Sequence, residues 1–291
     1  MAVVDKIAVA ALAREPIDIF TVRATIKPVM SDDALTLNTK SVLWQKEALV
    51  NYAADMLCRD YLAIAWVDSG LVLSDGWSHR ASRALDDYDV VQCFDHGEWL
   101  DQAGAVCRRK RGSIAAICEH DSAVRTIHDN TSVGGAWAAR SDLFRDGFRL
   151  YDRAITGGGD SWVVSGLLGE LDISAQVIKQ ACAAYKQDAL EWVQQVADLH
   201  LNVGYIQACY QHLWHSEQKA RKHKSRHRVL KKYAYDPRSH VRTAVGVIEW
   251  TDVAPERLVV AVHKFIVGRA SSPLEKKKKQ KKQKKQKHSV V

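Results

Sequence analysis

The chain has no Cys-x-x-Cys pair, no internal repeat, and nothing near the roughly eighteen uninterrupted apolar residues of a spanning helix. Each absence closes a class. Without paired spacing, the six cysteines (Cys58, Cys93, Cys107, Cys118, Cys182 and Cys209) form neither a zinc motif nor a disulfide framework. In a chain of 291 residues they read as reduced, mostly buried thiols, which places the protein in a reducing, cytoplasmic compartment. Asp5 and Lys6 interrupt the opening MAVVDKIAVAALAREP, so no secretory apolar core is present. The expectation is a soluble protein.

Acids are missing from one stretch, Lys276 to Val291, which carries nine lysines. The net charge of +8 therefore leaves 8 − 9 = −1 for the preceding 275 residues. A nearly neutral body argues against a nucleic-acid-binding fold, whose basic residues spread over a folded face. Residues 271–291 are expected to be a disordered Lys/Gln tail, and residues 1–270 a single domain. The tail itself suits weak polyanion contact, with nucleic acid or an anionic membrane as an alternative reading.

A core is amply provided: the chain is 47% hydrophobic, with nine tryptophans and nine tyrosines. Pro16 to Ile26 alternates like a strand. Ser41 would cap a helix running to about Arg59, with Leu49, Tyr52, Ala53, Met56 and Leu57 at helical spacing. Tyr61 to Val67 is a short apolar run, the mark of a strand buried on both faces. A helix over 76–87, a strand over Asp89 to Phe94, a long helix from Ser174 and a strand over Val203 to Tyr210 follow. Residues 97–130, with the basic knot Arg108 to Arg111, read as a surface excursion. Alternating strands and helices predict an α/β class with a mainly parallel, Rossmann-like central sheet flanked by helices.

Two glycine clusters, Gly134-Gly135 and Gly157-Gly158-Gly159, stand about a helix-length apart, the second ending on Asp160. Glycine inside an element costs about 1 kcal/mol, so such clusters point to backbone that something must approach closely. Asp160 itself is either a functional acid or the N-cap of the following helix. Asp68 ends a buried strand, where open α/β sheets place ligands, and is otherwise a turn aspartate. Cys209, His212 and His215 lie near a strand end without completing a tetrahedral set, and His223 and His227 sit in a basic, solvated stretch.

In order along the chain, WQKEALVNYA, AIAWVDSGLVLSDGW, GGAWAARSDLFRDGF, GGGD and HLWHSEQKARKHKSR resemble five segments of the GT-A-fold nucleotide-sugar glycosyltransferases, in particular the β-galactosyltransferase family and its bacterial and viral relatives. The likeness spans about residues 41–245. It implies transfer of a sugar from a nucleoside-diphosphate donor, UDP-linked, to a carbohydrate or other hydroxyl acceptor, with inversion. It places Trp44, Lys46, Asp68, Gly134, Gly135 and Trp137 at the donor, and Gly158, Gly159 and Asp160 at the acceptor. Asp160 becomes the general base, and Asp68 with His215 or His212 the ligands of Mn²⁺ or Mg²⁺. The family's DXD motif here reads Asp68-Ser69-Gly70, lacking the second carboxylate. Only 15 residues precede Pro16, short of the family's base-holding start. A degenerate member that binds glycan or nucleotide without catalysis is the alternative.

Overall fold

Strand and helix do alternate, but the strands separate into two principal sheets of mixed direction. The computed structural model describes residues 2–27, 34–119, 131–169, 181–214 and 226–270. Its helices are α1 (Ala2–Leu12), α2 (Lys46–Leu57), α3 (Trp77–Ala84), α4 (Ser113–Glu119), α5 (Ser141–Arg145), α6 (Gly159–Leu168), α7 (Ala183–Ala197), α8 (Arg226–Lys232), α9 (Pro237–His240) and α10 (Glu256–Ala270). The strands are β1 (Val22–Thr25), β2 (Leu35–Asn38), β3 (Ala63–Val67), β4 (Leu71–Leu73), β5 (Val90–Gln92), β6 (His96–Leu100), β7 (Val106–Gly112), β8 (Thr131–Ser132), β9 (Ala136–Arg140), β10 (Val203–Tyr205), β11 (Cys209–His212), β12 (Val241–Ala244) and β13 (Val247–Trp250).

The first sheet has the order β10-β5-β9-β3. β10 and β5 are parallel, while β9 runs against both β5 and β3. The second sheet, β4-β11-β6-β7-β8, mixes both directions as well. The expected mainly parallel central sheet is therefore replaced by mixed sheets in one compact α/β domain. The strands buried on both faces are β5, as expected, and β9, not β3. Trp137 and Ala139 of β9 face the helices with Trp66 and Phe144, whereas Ala136 and Ala138 face the second sheet with Leu71 and Phe94. β3 lies at the sheet edge and alternates, with Ile64 and Trp66 inward and Ala63 and Ala65 exposed. Its apolar run is unbroken only because alanines occupy the outer face.

Further expectations change. The excursion over 97–130 contains most of β6, then β7 and α4, so the basic knot is a strand. Arg109 lies opposite Glu98, with its Nη2 2.8 Å from the carboxylate, and Arg108 covers the Trp99 ring at 5.9 Å. Opposite charge and cation–π contact across the ladder hold a basic segment extended. Val203 to Tyr210 divides between β10 in one sheet and β11 in the other. Pro16 to Thr21 is not strand, and the long helix begins at Ala183; the lysine tail and 174–180 lie outside the described residues. Of the six cysteines, all free, only Cys58 and Cys93 are buried. No described helix is long and apolar enough to cross a membrane.

A third cluster, rich in aromatics, anchors the helix that carries Asp160. Trp162 is fully buried against Tyr151 and Tyr185, and its indole N–H donates to the Tyr185 hydroxyl at 3.1 Å. Losing a side chain of this size costs about 3–5 kcal/mol, so the start of α6 is held firmly.

Candidate functional site

The site forms where the C-terminal end of β3, the loop before β9 and the first turns of α2 and α6 meet. Lys46 is the first residue of α2. Its ammonium lies 2.9 Å from Asp68 Oδ1 and 2.5 Å from Asp160 Oδ1, residues 22 and 114 positions away in the chain. Asp68 follows β3 directly and its N–H donates to the Gly135 carbonyl at 2.7 Å. Asp160 is in the first turn of α6, where the helix dipole favours an acid. The N-cap is Gly158 with φ +105°, and no side chain caps the helix. Asp160 is thus not the cap; its carboxylate turns to Lys46.

The glycine clusters yield to this charge set. A Cβ on Gly134 would lie 2.7 Å from Asp160 Oδ2, and one on Gly159 would lie 2.4 Å from Glu47 Oε1. Trp44 and Arg269 crowd Gly157, and Arg226 crowds Gly158. Arg269 stacks over Trp44 at 5.0 Å and donates to the Thr156 carbonyl at 3.0 Å. Trp44 leaves its buried indole N–H without an acceptor among the described residues.

Glu47 is the residue that motif reading passed over. It is 1% exposed, its Oε1 is 4.0 Å from Lys46 Nζ, and neither carboxylate oxygen has a hydrogen-bond partner among the described residues. Burial pushes its carboxyl from the ordinary 4.5 up to about 7, with Lys46 opposing and Asp160 and Asp68 reinforcing the shift. Burial works to lower Lys46, but Asp160, Asp68 and Glu47 together hold it charged, well above the usual lysine range. Burial also raises Asp68, against the pull of Lys46. Arg226 is lowered by burial, opposed by Asp160, Tyr185 and Glu47. A signal for Glu47 existed: with Asn51 and Ala54 it occupies the buried face of α2 at helical spacing.

Other candidates sit elsewhere. Trp137, expected at the donor, is 1% exposed in the core, and its N–H donates to the Val133 carbonyl at 3.2 Å. The two-sided burial of β9 leaves it no open face. His212 stacks on Trp99 at 6.1 Å, and its Nδ1 is 2.9 Å from the Leu213 carbonyl. His215 and His223 lie outside the described residues. His227 is not solvated: it is 5% exposed, stacks on Tyr185, and burial with Arg226 nearby pushes it down to about 3.

The described residues do not fit a divalent cation. Both carboxylates near the Asp68 turn are taken by one ammonium, and no group of three His, Cys, Asp or Glu side chains is arranged to hold a metal among them. Position 70, where a second aspartate would add a ligand, has φ +81° and is buried. That left-handed backbone is why glycine stands there. The Leu213 N–H donates to the Gly70 carbonyl at 2.9 Å, so the segment leading to His215 does leave beside this turn.

Comparison with protein-family models, with curated proteins and with solved structures returned no match for this chain.

Proposed function

We propose that the chain is a GT-A-type glycosyltransferase, moving a sugar from a nucleoside-diphosphate donor, UDP-linked, to a hydroxyl acceptor with inversion. One observation carries this reading: Lys46, Asp68 and Asp160, singled out from three separate sequence segments, meet at a single ammonium. In the reaction the acceptor oxygen bonds to the anomeric carbon as the bond from that carbon to the phosphate oxygen breaks. The bonding pair leaves with the diphosphate, and the acceptor proton passes to an Asp160 carboxylate oxygen. Lys46, kept charged by its acidic neighbours, neutralises the departing phosphate, with Arg226 as the second cation near Asp160. When the donor's phosphates draw Lys46 away, Asp160 is released to act as base.

The test is the melting temperature of the whole chain with UDP, in Mn²⁺ and in EDTA, for the wild type and Lys46→Met. The expected result is a UDP-dependent rise that survives EDTA and is lost in Lys46→Met. A rise that EDTA removes would restore a divalent cation, with His215 its remaining candidate ligand. No rise with any nucleoside diphosphate overturns the donor assignment. The second reading, a non-catalytic binder of the same fold, rests on the positive φ at Gly70, which disfavours the missing carboxylate.

A further inference from the structure

We propose that a second site, separate from the Lys46 cluster, binds a phosphate-bearing anion in a cleft of about 340 Å³ walled by Arg153, Arg238 and Arg242. Pro237, Val241 and Ile248 form its apolar side and Thr243 adds a hydroxyl; no acid lines it. The volume falls at the lower end of small-molecule sites, roughly 300–1,000 Å³.

The acids that balance these arginines stand outside the wall. Asp188, 5% exposed, accepts from the Tyr151 hydroxyl at 2.8 Å, from Arg238 Nε at 3.2 Å and from Arg153. It fixes two guanidinium groups while leaving much of each uncovered. Glu191 takes another edge of Arg238, and Asp152 lies 4.0 Å from Arg153 Nε and 3.4 Å from the Thr243 hydroxyl. Arg242 is exposed and makes no ion pair among the described residues. The apolar side is rigid as well: the Gln45 side-chain amide donates to the Ile248 carbonyl at 2.8 Å and accepts from its N–H at 2.7 Å. Guanidinium forks match phosphate oxygens bidentately, and three of them around one cleft answer a multiply charged phosphate more fully than a single carboxylate. Pro237, Val241 and Ile248 floor the cleft but are themselves buried, so the arginines and the ligand's phosphate carry the recognition.

Isothermal titration of the full chain with phenyl phosphate and with inorganic phosphate tests this. Arg242→Gln should weaken phenyl phosphate binding about tenfold or more. Because Arg242 supports no ion pair, that variant should fold normally. Arg242→Lys should restore part of the affinity. Tighter binding of phenyl phosphate than of inorganic phosphate identifies the ligand as an organic phosphate, and equal affinities identify it as free phosphate. Either result supports the site if Arg242→Gln loses it. Wild-type affinity in Arg242→Gln, including affinity contributed by the lysine tail, overturns the proposal, as does absence of binding at millimolar concentration.

Discussion

Glu47 and Asp188 are both nearly sealed from solvent beside basic side chains, 1% and 5% exposed. Their surroundings treat them in opposite ways. Asp188 has a tyrosine hydroxyl and two guanidinium groups as donors, so its charge is answered on every side the fold provides. Glu47 has no hydrogen-bond donor among the described residues, and its neighbour Lys46 bonds to Asp68 and Asp160 instead. A saturated network rigidifies its surroundings, whereas an unanswered buried carboxylate costs stability and keeps its proton to higher pH. Folds retain such groups where a proton or a ligand supplies the missing partner.

The largest effect is expected at Asp160. Asp160→Asn should lower kcat and kcat/KM for UDP-sugar turnover together by about 10²–10⁴-fold, with donor affinity nearly unchanged. Since Gly158 is the N-cap, any fall in Tm reflects the broken Lys46 ion pair and not a lost cap. Unchanged turnover would reduce the Lys46 cluster to a structural ion pair like that of Asp188. Conversely, Asp188→Ala should cost stability and not chemistry. Denaturant titration should show a loss of about 2–4 kcal/mol, below the full penalty of a sealed pair because Arg153 and Arg238 reach solvent. A small loss would mean that saturation contributes little here.

At Glu47 the sign depends on pH. Its folded-state pKa is raised, so the stability it contributes is fully present below about 4.5 and is lost as pH rises through about 7. Glu47→Gln, which mimics the protonated form, should therefore match the wild type at pH 4 and exceed it at pH 8 by about 1–3 kcal/mol. Chemical denaturation at the two pH values measures the difference; equal stability at pH 8 would mean the carboxylate has an unseen partner. The smallest effect belongs to Gly70→Asp. Its φ of +81° predicts a loss of about 1 kcal/mol and no gain in Mn²⁺ affinity. Tighter Mn²⁺ binding would show that the turn can open into a two-carboxylate site.

Much of the site was legible because its residues lie within short, ordered segments. Asp68 stands at a recognisable strand end and Asp160 closes a glycine cluster, whereas Lys46 is singled out only by the resemblance of its segment; the helix expected from a Ser41 cap starts instead at Lys46, after Gln45. Glu47 was harder to see, since a glutamate beside a lysine near a helix start ordinarily reads as solvated charge. Trp137 misled for the opposite reason: it follows a glycine pair, yet inclusion of β9 in the interior gives its ring to Trp66 and Phe144. The basic knot around Arg109 misled too, because nothing local announces that Glu98 will stand opposite it in a ladder.

Composition and short-range pattern settle which segments carry apolar faces, where glycine relieves the backbone, and that nine lysines of the last 16 residues account for the positive net charge. Such properties follow from composition and from periodicities of a few residues. Long-range packing sets the mixed strand directions, the sealing of Glu47 without a donor among the described residues, and the turn of Asp160 from capping to Lys46. Those outcomes depend on contacts between residues as many as 114 positions apart. Desolvation and ion pairing at such range are set by what the fold brings near, which no local pattern encodes.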